Sequence, residues 1–142
     1  MLTVLPIQTK DEQKELCSVC GVEFIENAFA YRADDGDFIG ICQFTFENNC
    51  GYFKNLSYAP GVVDNEAMII MLRAAMNFMF RCGLVDSYME NDATTDVLLR
   101  LSGYKINESN KYYLNLDKFY NTPCNHWYIK NPECFSGFFH KL

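Results

Sequence analysis

The chain has 142 residues, 49% of them hydrophobic and 15% aromatic, with a formal net charge of −6. That length amounts to one domain, able to hide roughly two-thirds of its unfolded surface. The composition excludes a disordered chain, and the negative charge excludes a nucleic-acid backbone as natural partner, because phosphate is repelled. A cationic or amine substrate is compatible with the same charge. There is no uninterrupted run of about 18 apolar residues, so no membrane span is expected; residues 67–80 come closest and are broken by Arg73 and Asn77. The seven cysteines are odd in number, and the opening MLTVLPIQTKDEQ has neither a charged leader region nor a long apolar run. Both features read as reduced, mostly buried thiols in a cytoplasmic protein.

Leu2 to Ile7 alternates as a first strand. Thr9 with Glu12 three residues on forms a capping box for a helix that runs to about Cys20 and stops at Gly21. Residues 22–27 read either as a short helix or as a loop. Ala28 to Ala33 is a strand, Asp34-Asp35-Gly36-Asp37 a hairpin turn, and Phe38 to Glu47 the return strand. Asn48-Asn49 turns the chain again into Gly51 to Tyr58, completing a three-stranded antiparallel meander.

Ala59-Pro60-Gly61 breaks the last of these strands, and Asp64 or Asn65 caps a helix reaching Arg81 or Cys82. Its polar residues Glu66, Arg73, Asn77 and Arg81 form one narrow stripe, so the rest of its girth is expected to be buried across a sheet. After Gly83, Leu84 to Glu90 is a strand reached through a helix and so predicted parallel to the meander strand. Asn91 or Asp92 caps a further helix that ends at Ser102-Gly103. Within it, Ala93, Val97 and Leu101 read as the buried face, with Leu99 pointing nearly opposite. Tyr104 to Asn107 and Tyr112 to Leu116 make a last strand pair.

The order β, α, three antiparallel strands, α, β, α, β resembles the GNAT-type N-acetyltransferases over roughly residues 2–116. Three anchors accompany the order: Gly83 ending the long helix, Asn91 after the fifth strand, and Gly103-Tyr104 closing the next helix. The implied fold class is α/β (α+β by stricter naming), a mixed, mostly antiparallel central sheet with helices on both faces. Residues 1–118 would form the acyltransferase domain. Residues 119–142 would be an aromatic extension that packs on it, lies at a homodimer interface, or covers the acceptor side of the cleft.

The resemblance implies acetyl-CoA as co-substrate and a small-molecule or peptide amine as acceptor. In the family the fourth strand splays from the fifth, and its exposed main chain pairs with the pantetheine arm. The corresponding residues here are Leu56, Ser57 and Tyr58. A splayed edge offers unpaired N–H and C=O groups to a strand-like ligand, and one N–H facing the thioester carbonyl can stabilise the developing oxyanion. The family's pyrophosphate turn, rich in glycine and cations, maps onto Val63, Asp64, Asn65, Glu66, Ala67 and Met68. That stretch has no glycine and two carboxylates. At about 6 Å and an effective dielectric of ~20, each carboxylate would cost on the order of 3 kcal/mol against a phosphate, less in solvent and salt. Asn91 and Leu99 are the other implied cofactor contacts. Leu99 occupies the position of the family's tyrosine proton donor, leaving Tyr58, Tyr88 or Tyr104 to take that role. An amine attacks only when neutral, so a base is needed; Glu47 and Glu90, at strand ends, are the candidates. Their plainer reading is as solvated carboxylates.

Two further patterns point to no site. Cys17 and Cys20 sit at the C-terminal end of a helix, where the dipole opposes a thiolate, and read as packing residues. Cys124, His126, Cys134 and His140 match no standard zinc spacing, so no metal is expected. If catalytically silent, the same scaffold would bind another small ligand or a protein.

Overall fold

The computed structural model describes residues 1–121. Seven strands form one sheet in the order β1-β2-β3-β4-β5-β7-β6. The strands are β1 (Leu2–Pro6), β2 (Phe29–Asp35), β3 (Asp37–Glu47), β4 (Cys50–Tyr58), β5 (Asp86–Glu90), β6 (Lys105–Ile106) and β7 (Lys111–Asn115). Every neighbouring pair is antiparallel except β4 with β5, which are parallel. This is the predicted class: a mixed, mostly antiparallel sheet with helices on both faces.

The turns follow from their residues. Asn48 and Asn49 both take positive φ (53° and 63°), the pair of angles a two-residue hairpin loop requires. Thr9 caps α1 (Lys10–Cys20) by accepting the N–H of Glu12 at 3.2 Å, and Gly21 ends it in the left-handed region. Residues 22–27 form a loop. Buried side-chain amides pin this loop to the sheet: Gln43 Oε1 accepts from Gln13 Nε2 (2.7 Å) and the Ile25 N–H (3.0 Å), while Gln43 Nε2 donates to the Glu23 carbonyl (2.7 Å).

α1 covers one face of the sheet through a small apolar cluster of Cys17, Ala30 and Ile41. The main core lies on the other face, under α2 (Asn65–Arg81), α3 (Asp96–Ser102) and α4 (Leu116–Asn121). Met68, Met71, Met76 and Met79 of α2 are fully buried there, adaptable side chains filling the irregular space above a twisted sheet. Glu66, Asn77 and Arg81 lie outward as the stripe predicted, and Arg73 is half-buried with its guanidinium 4.8 Å from the Phe119 ring. Phe119 and Tyr120 of α4 pack back onto the domain, Tyr120 stacking on Phe80 at 4.6 Å. The remainder of the predicted aromatic extension, with Cys124, His126, Cys134 and His140, lies outside the described residues. No helix among the described residues is long and apolar enough to cross a membrane.

The greatest departure from expectation is in α3. It starts at Asp96 and not at Asn91 or Asp92, because Asp92 Oδ1 closes a turn on the N–H of Thr94 (2.9 Å). Ala93 is therefore outside the helix, and the face counted from it is reversed. Leu98 and Leu99 are buried, whereas Val97 and Leu101 are each 57% exposed. In a two-turn helix in which apolar residues occupy several faces, position alone does not select the inner one.

Candidate functional site

Pairing between β4 and β5 covers only part of β4. It runs from Cys50↔Asp86 to Phe53↔Met89 and stops. β5 ends at Glu90, while β4 continues to Tyr58. Among the described residues, positions 55–58 are thus paired on the β3 side alone. A bulge coincides with the point of separation: Phe44 opposes Phe53 but Gln43 opposes Asn55, leaving Lys54 as the extra residue. A bulge bends and twists its strand, which turns the end of β4 away from its neighbour.

The phase of the β3–β4 ladder tells which groups face the gap. The Ala59 N–H donates to the Ile39 carbonyl at 2.8 Å, so that directly opposed pair is hydrogen-bonded. Antiparallel pairs alternate. Ser57 opposite Ile41 and Asn55 opposite Gln43 therefore turn their main-chain groups to β3, and Leu56 and Tyr58 turn theirs to the gap. This corrects the expectation for Ser57, whose N–H belongs to the ladder. Gly40 lets the strands approach here: a Cβ on it would come within 2.6 Å of the Ser57 carbonyl oxygen and 2.9 Å of the Met68 sulfur.

The N-terminus of α2 stands beyond Tyr58. The Tyr58 hydroxyl donates to Asn65 Oδ1 at 2.6 Å, tying the lip of the gap to the first residue of the helix. Asp64 is the cap, accepting the Ala67 N–H at 3.1 Å, an arrangement worth roughly 1 kcal/mol. The same bond occupies a donor that an anion would otherwise use. Val63 is 81% exposed, whereas the side chains of Ala67 and Met68 are in the core; only their main chain belongs to this turn.

The other predicted residues separate into reachable and unreachable groups. Tyr104 is buried, its hydroxyl 2.5 Å from Ser87 Oγ, and burial pushes its phenol far up. It serves the core and faces no cleft, which corrects its assignment as proton donor. Leu99 is fully buried, so it does not line an open surface. Asn91 is exposed and donates from Nδ2 to Asn110 Oδ1 (2.9 Å), holding the end of β5 to the β6–β7 turn.

Glu47, Glu90 and Tyr88 share the sheet face that carries α1. Opposed residues lie on one face, and Gln43, Thr45 and Glu47 alternate on it with their partners Asn55, Tyr52 and Cys50. Tyr88 stacks on Tyr52 at 5.3 Å and meets Tyr113 at a tilt at 5.1 Å, and Asp86, Tyr88 and Glu90 alternate on the same side. Glu90, its carboxylate mostly exposed, is 3.3 Å from Lys111 Nζ. Glu47 Oε2 accepts from Thr45 Oγ1 (2.6 Å) and pairs with Lys54 Nζ (3.1 Å). The Thr45 hydroxyl first, and Lys54 second, hold its carboxylate below the ordinary range, which makes it the weaker proton acceptor. Glu90 thus stands at the mouth of the gap, and Glu47 reaches it only through Lys54. Sequence reading missed the bulge at Lys54 and the placement of Asn55; a one-residue register slip inside a regular alternation leaves no compositional mark.

A parallel pair that parts at a bulge, inside a β1-β2-β3-β4-β5-β7-β6 sheet with α2 capping the open end, decides the architecture. The chain has the GNAT fold. Solved structures superpose over most of their length at low identity. An IAA acetyltransferase from Bacillus cereus matches with TM-score 0.63 and 16% identity, over 76% of this chain and 79% of its own. The ribosomal-protein-S18-alanine N-acetyltransferase of Escherichia coli matches with TM-score 0.64 and 10% identity, over 82% and 94%. Mutant forms of the spermidine/spermine N-acetyltransferase of Vibrio cholerae match with TM-score 0.65 and 12% identity, over 85% and 98%. No protein-family model and no curated protein sequence matches the chain.

Proposed function

We propose that this GNAT-fold protein is an acyl-CoA-dependent N-acetyltransferase acting on an amine. The carrying observation is the gap: the main-chain groups of Leu56 and Tyr58 face it, and β5 supplies them no partner. A pantetheine arm presents alternating amide donors and acceptors, the pattern an unpaired strand edge binds. Acetyl-CoA supplies the thioester that the neutral acceptor nitrogen attacks, forming the C–N bond as the C–S bond breaks. The chain's own part is to align the two reactants, to offer a main-chain N–H near the bulge to the developing oxyanion, and to take the amine proton at Glu90. A proton returns to the departing thiolate, from solvent or from Tyr58, the phenol at the lip. Of the acceptors named by the neighbours, spermidine or spermine and an alanine of a ribosomal protein, the polyamines suit the net charge of −6. Cytoplasmic localisation and assembly as a homodimer belong to the same reading.

The phosphate turn favours a second reading. Asp64 fills a helix N-terminal donor with its own carboxylate, as suits a domain that has given up tight CoA binding for another ligand. Calorimetric titration with acetyl-CoA separates the two. The transferase reading expects binding in the range of ordinary substrate KM values, roughly 1 µM to 1 mM. No heat at millimolar acetyl-CoA removes it and leaves the silent-domain reading standing.

A further inference from the structure

Polar side chains on the α1-bearing face are matched with care. Gln43 makes three hydrogen bonds, Gln13 joins it, and Thr45 donates to Glu47. Asn55 is the exception. Its Oδ1 is shielded from solvent and has no hydrogen-bond partner among the described residues, though it sits opposite Gln43 in the same row. Leaving a buried amide end unmatched costs free energy that folded proteins rarely tolerate without a reason.

The location supplies a reason. Asn55 follows the bulge directly and opens the splayed half of β4 on this face beside Lys54, whose ammonium turns back to Glu47. Glu90, the last residue of β5, shares the face across the gap. α2 lies on the opposite face. A cofactor whose phosphates meet the N-terminus of α2 and whose arm lies in the gap leaves the α1-bearing face for the acceptor. We infer that Asn55 is an acceptor-binding residue: its amide oxygen receives an N–H of the attacking primary amine, opposite Glu90. This rests on the transferase reading above.

The chemistry is specific to that geometry. An amine about to attack must direct its lone pair at the carbonyl carbon, and a hydrogen-bond acceptor beside it fixes the N–H and thereby the lone pair. A side-chain amide oxygen with no partner among the described residues keeps its acceptor capacity for a ligand. A carboxylate opposite attracts the ammonium form and accepts the proton released before attack. The favoured substrate is therefore a primary amine.

The test uses the full chain, 15N-labelled, first titrated with CoA and then, at saturation, with spermidine as probe. Spermidine should shift the Asn55 side-chain amide signals. Asn55→Leu should weaken its binding about tenfold, the loss of one charge-assisted hydrogen bond, without changing the affinity for CoA. The same variant should melt at a temperature equal to or above that of the wild type, since an apolar residue removes the unmatched group. Asn55→Asp, which keeps the acceptor and adds charge, should bind spermidine at least as tightly as wild type. CoA binding with unmoved Asn55 signals, or with equal spermidine affinity in Asn55→Leu, overturns the inference alone. A fall of several degrees in the Asn55→Leu melting temperature does the same, by showing a structural role. Failure of the wild type to bind CoA removes the transferase reading and this inference together.

Discussion

The two halves of β4 contrast within nine residues. From Cys50 to Phe53 the strand is paired on both sides, and its inward residues Gly51 and Phe53 are locked under α2. From Asn55 to Tyr58 it keeps the β3 ladder, loses β5, and is followed by a helix cap. One half is committed to the fold in every direction; the other keeps a free edge. An exposed edge is a liability unless something manages it, and here it is short and twisted away by the bulge. That free edge is what the proposed transferase reading puts to use.

Proline gives the sharpest break between the two directions of the splayed half. Ser57→Pro removes a ladder donor and should cost about 1–3 kcal/mol of stability, read by denaturant unfolding. Tyr58→Pro removes a gap-facing donor. Its stability loss should be much smaller, while acetyl-CoA affinity falls about tenfold, the share of one main-chain hydrogen bond in a dry site. Tyr58→Phe controls for the hydroxyl bond to Asn65. Equal stability losses for the two prolines would show that the ladder phase is misassigned.

Glycines sharpen the same contrast. At Gly40 an added Cβ meets the main-chain oxygen of Ser57, which cannot move without parting β3 from β4. At Gly51 it meets the thioether of Met79, a flexible side chain. Gly40→Ala should cost about 1–3 kcal/mol and weaken CoA uptake; Gly51→Ala should cost under about 1.5 kcal/mol and leave uptake unchanged.

What the sequence made legible follows this division. Element order, the parallel β4–β5 pair, the double-Asn turn and the cap at Asp64 or Asn65 were readable because each has a local chemical signature. The free strand edge was placed at Leu56 and Tyr58 by position in the strand alone, whereas Ser57 turned out to belong to the ladder. Side-chain assignments were less secure. Leu99 and Tyr104 were misplaced because a short helix and a helix-to-strand junction leave the inner face undetermined until α2 packs on them. Asn55 was invisible because a bulge changes facing without changing composition.

The phosphate turn offers a smaller effect. Asp64→Asn keeps an oxygen to cap Ala67 and removes the charge; Glu66→Gln removes the second charge. Together they should raise CoA affinity about tenfold at low salt, with most of the gain lost near 1 M salt as screening shortens to about 3 Å. Unchanged affinity would mean that the phosphates bind away from the start of α2.

The start of α3 gives the least effect and the cleanest sign. Asp96 Oδ1 accepts the Tyr112 hydroxyl at 2.6 Å and is 2.9 Å from Arg100 Nε. The Tyr112 hydroxyl first, and Arg100 second, lower its pKa from the ordinary 3.8. A carboxylate depressed in the folded state stabilises it above the unfolded pKa, and that contribution disappears as pH falls through the folded value. Tyr112→Phe keeps the buried ring and deletes the donor. Carboxyl NMR titration should therefore find the Asp96 midpoint higher in the variant, and acid unfolding of the variant should depend less on pH below about 4. Because Tyr112, on β7, pairs with Met89 of β5, this bond ties the start of α3 to the neighbour of the strand beside the gap. If the midpoint does not move, Arg100 alone sets the Asp96 charge, and the start of α3 is held by the Asp92 turn without help from β7.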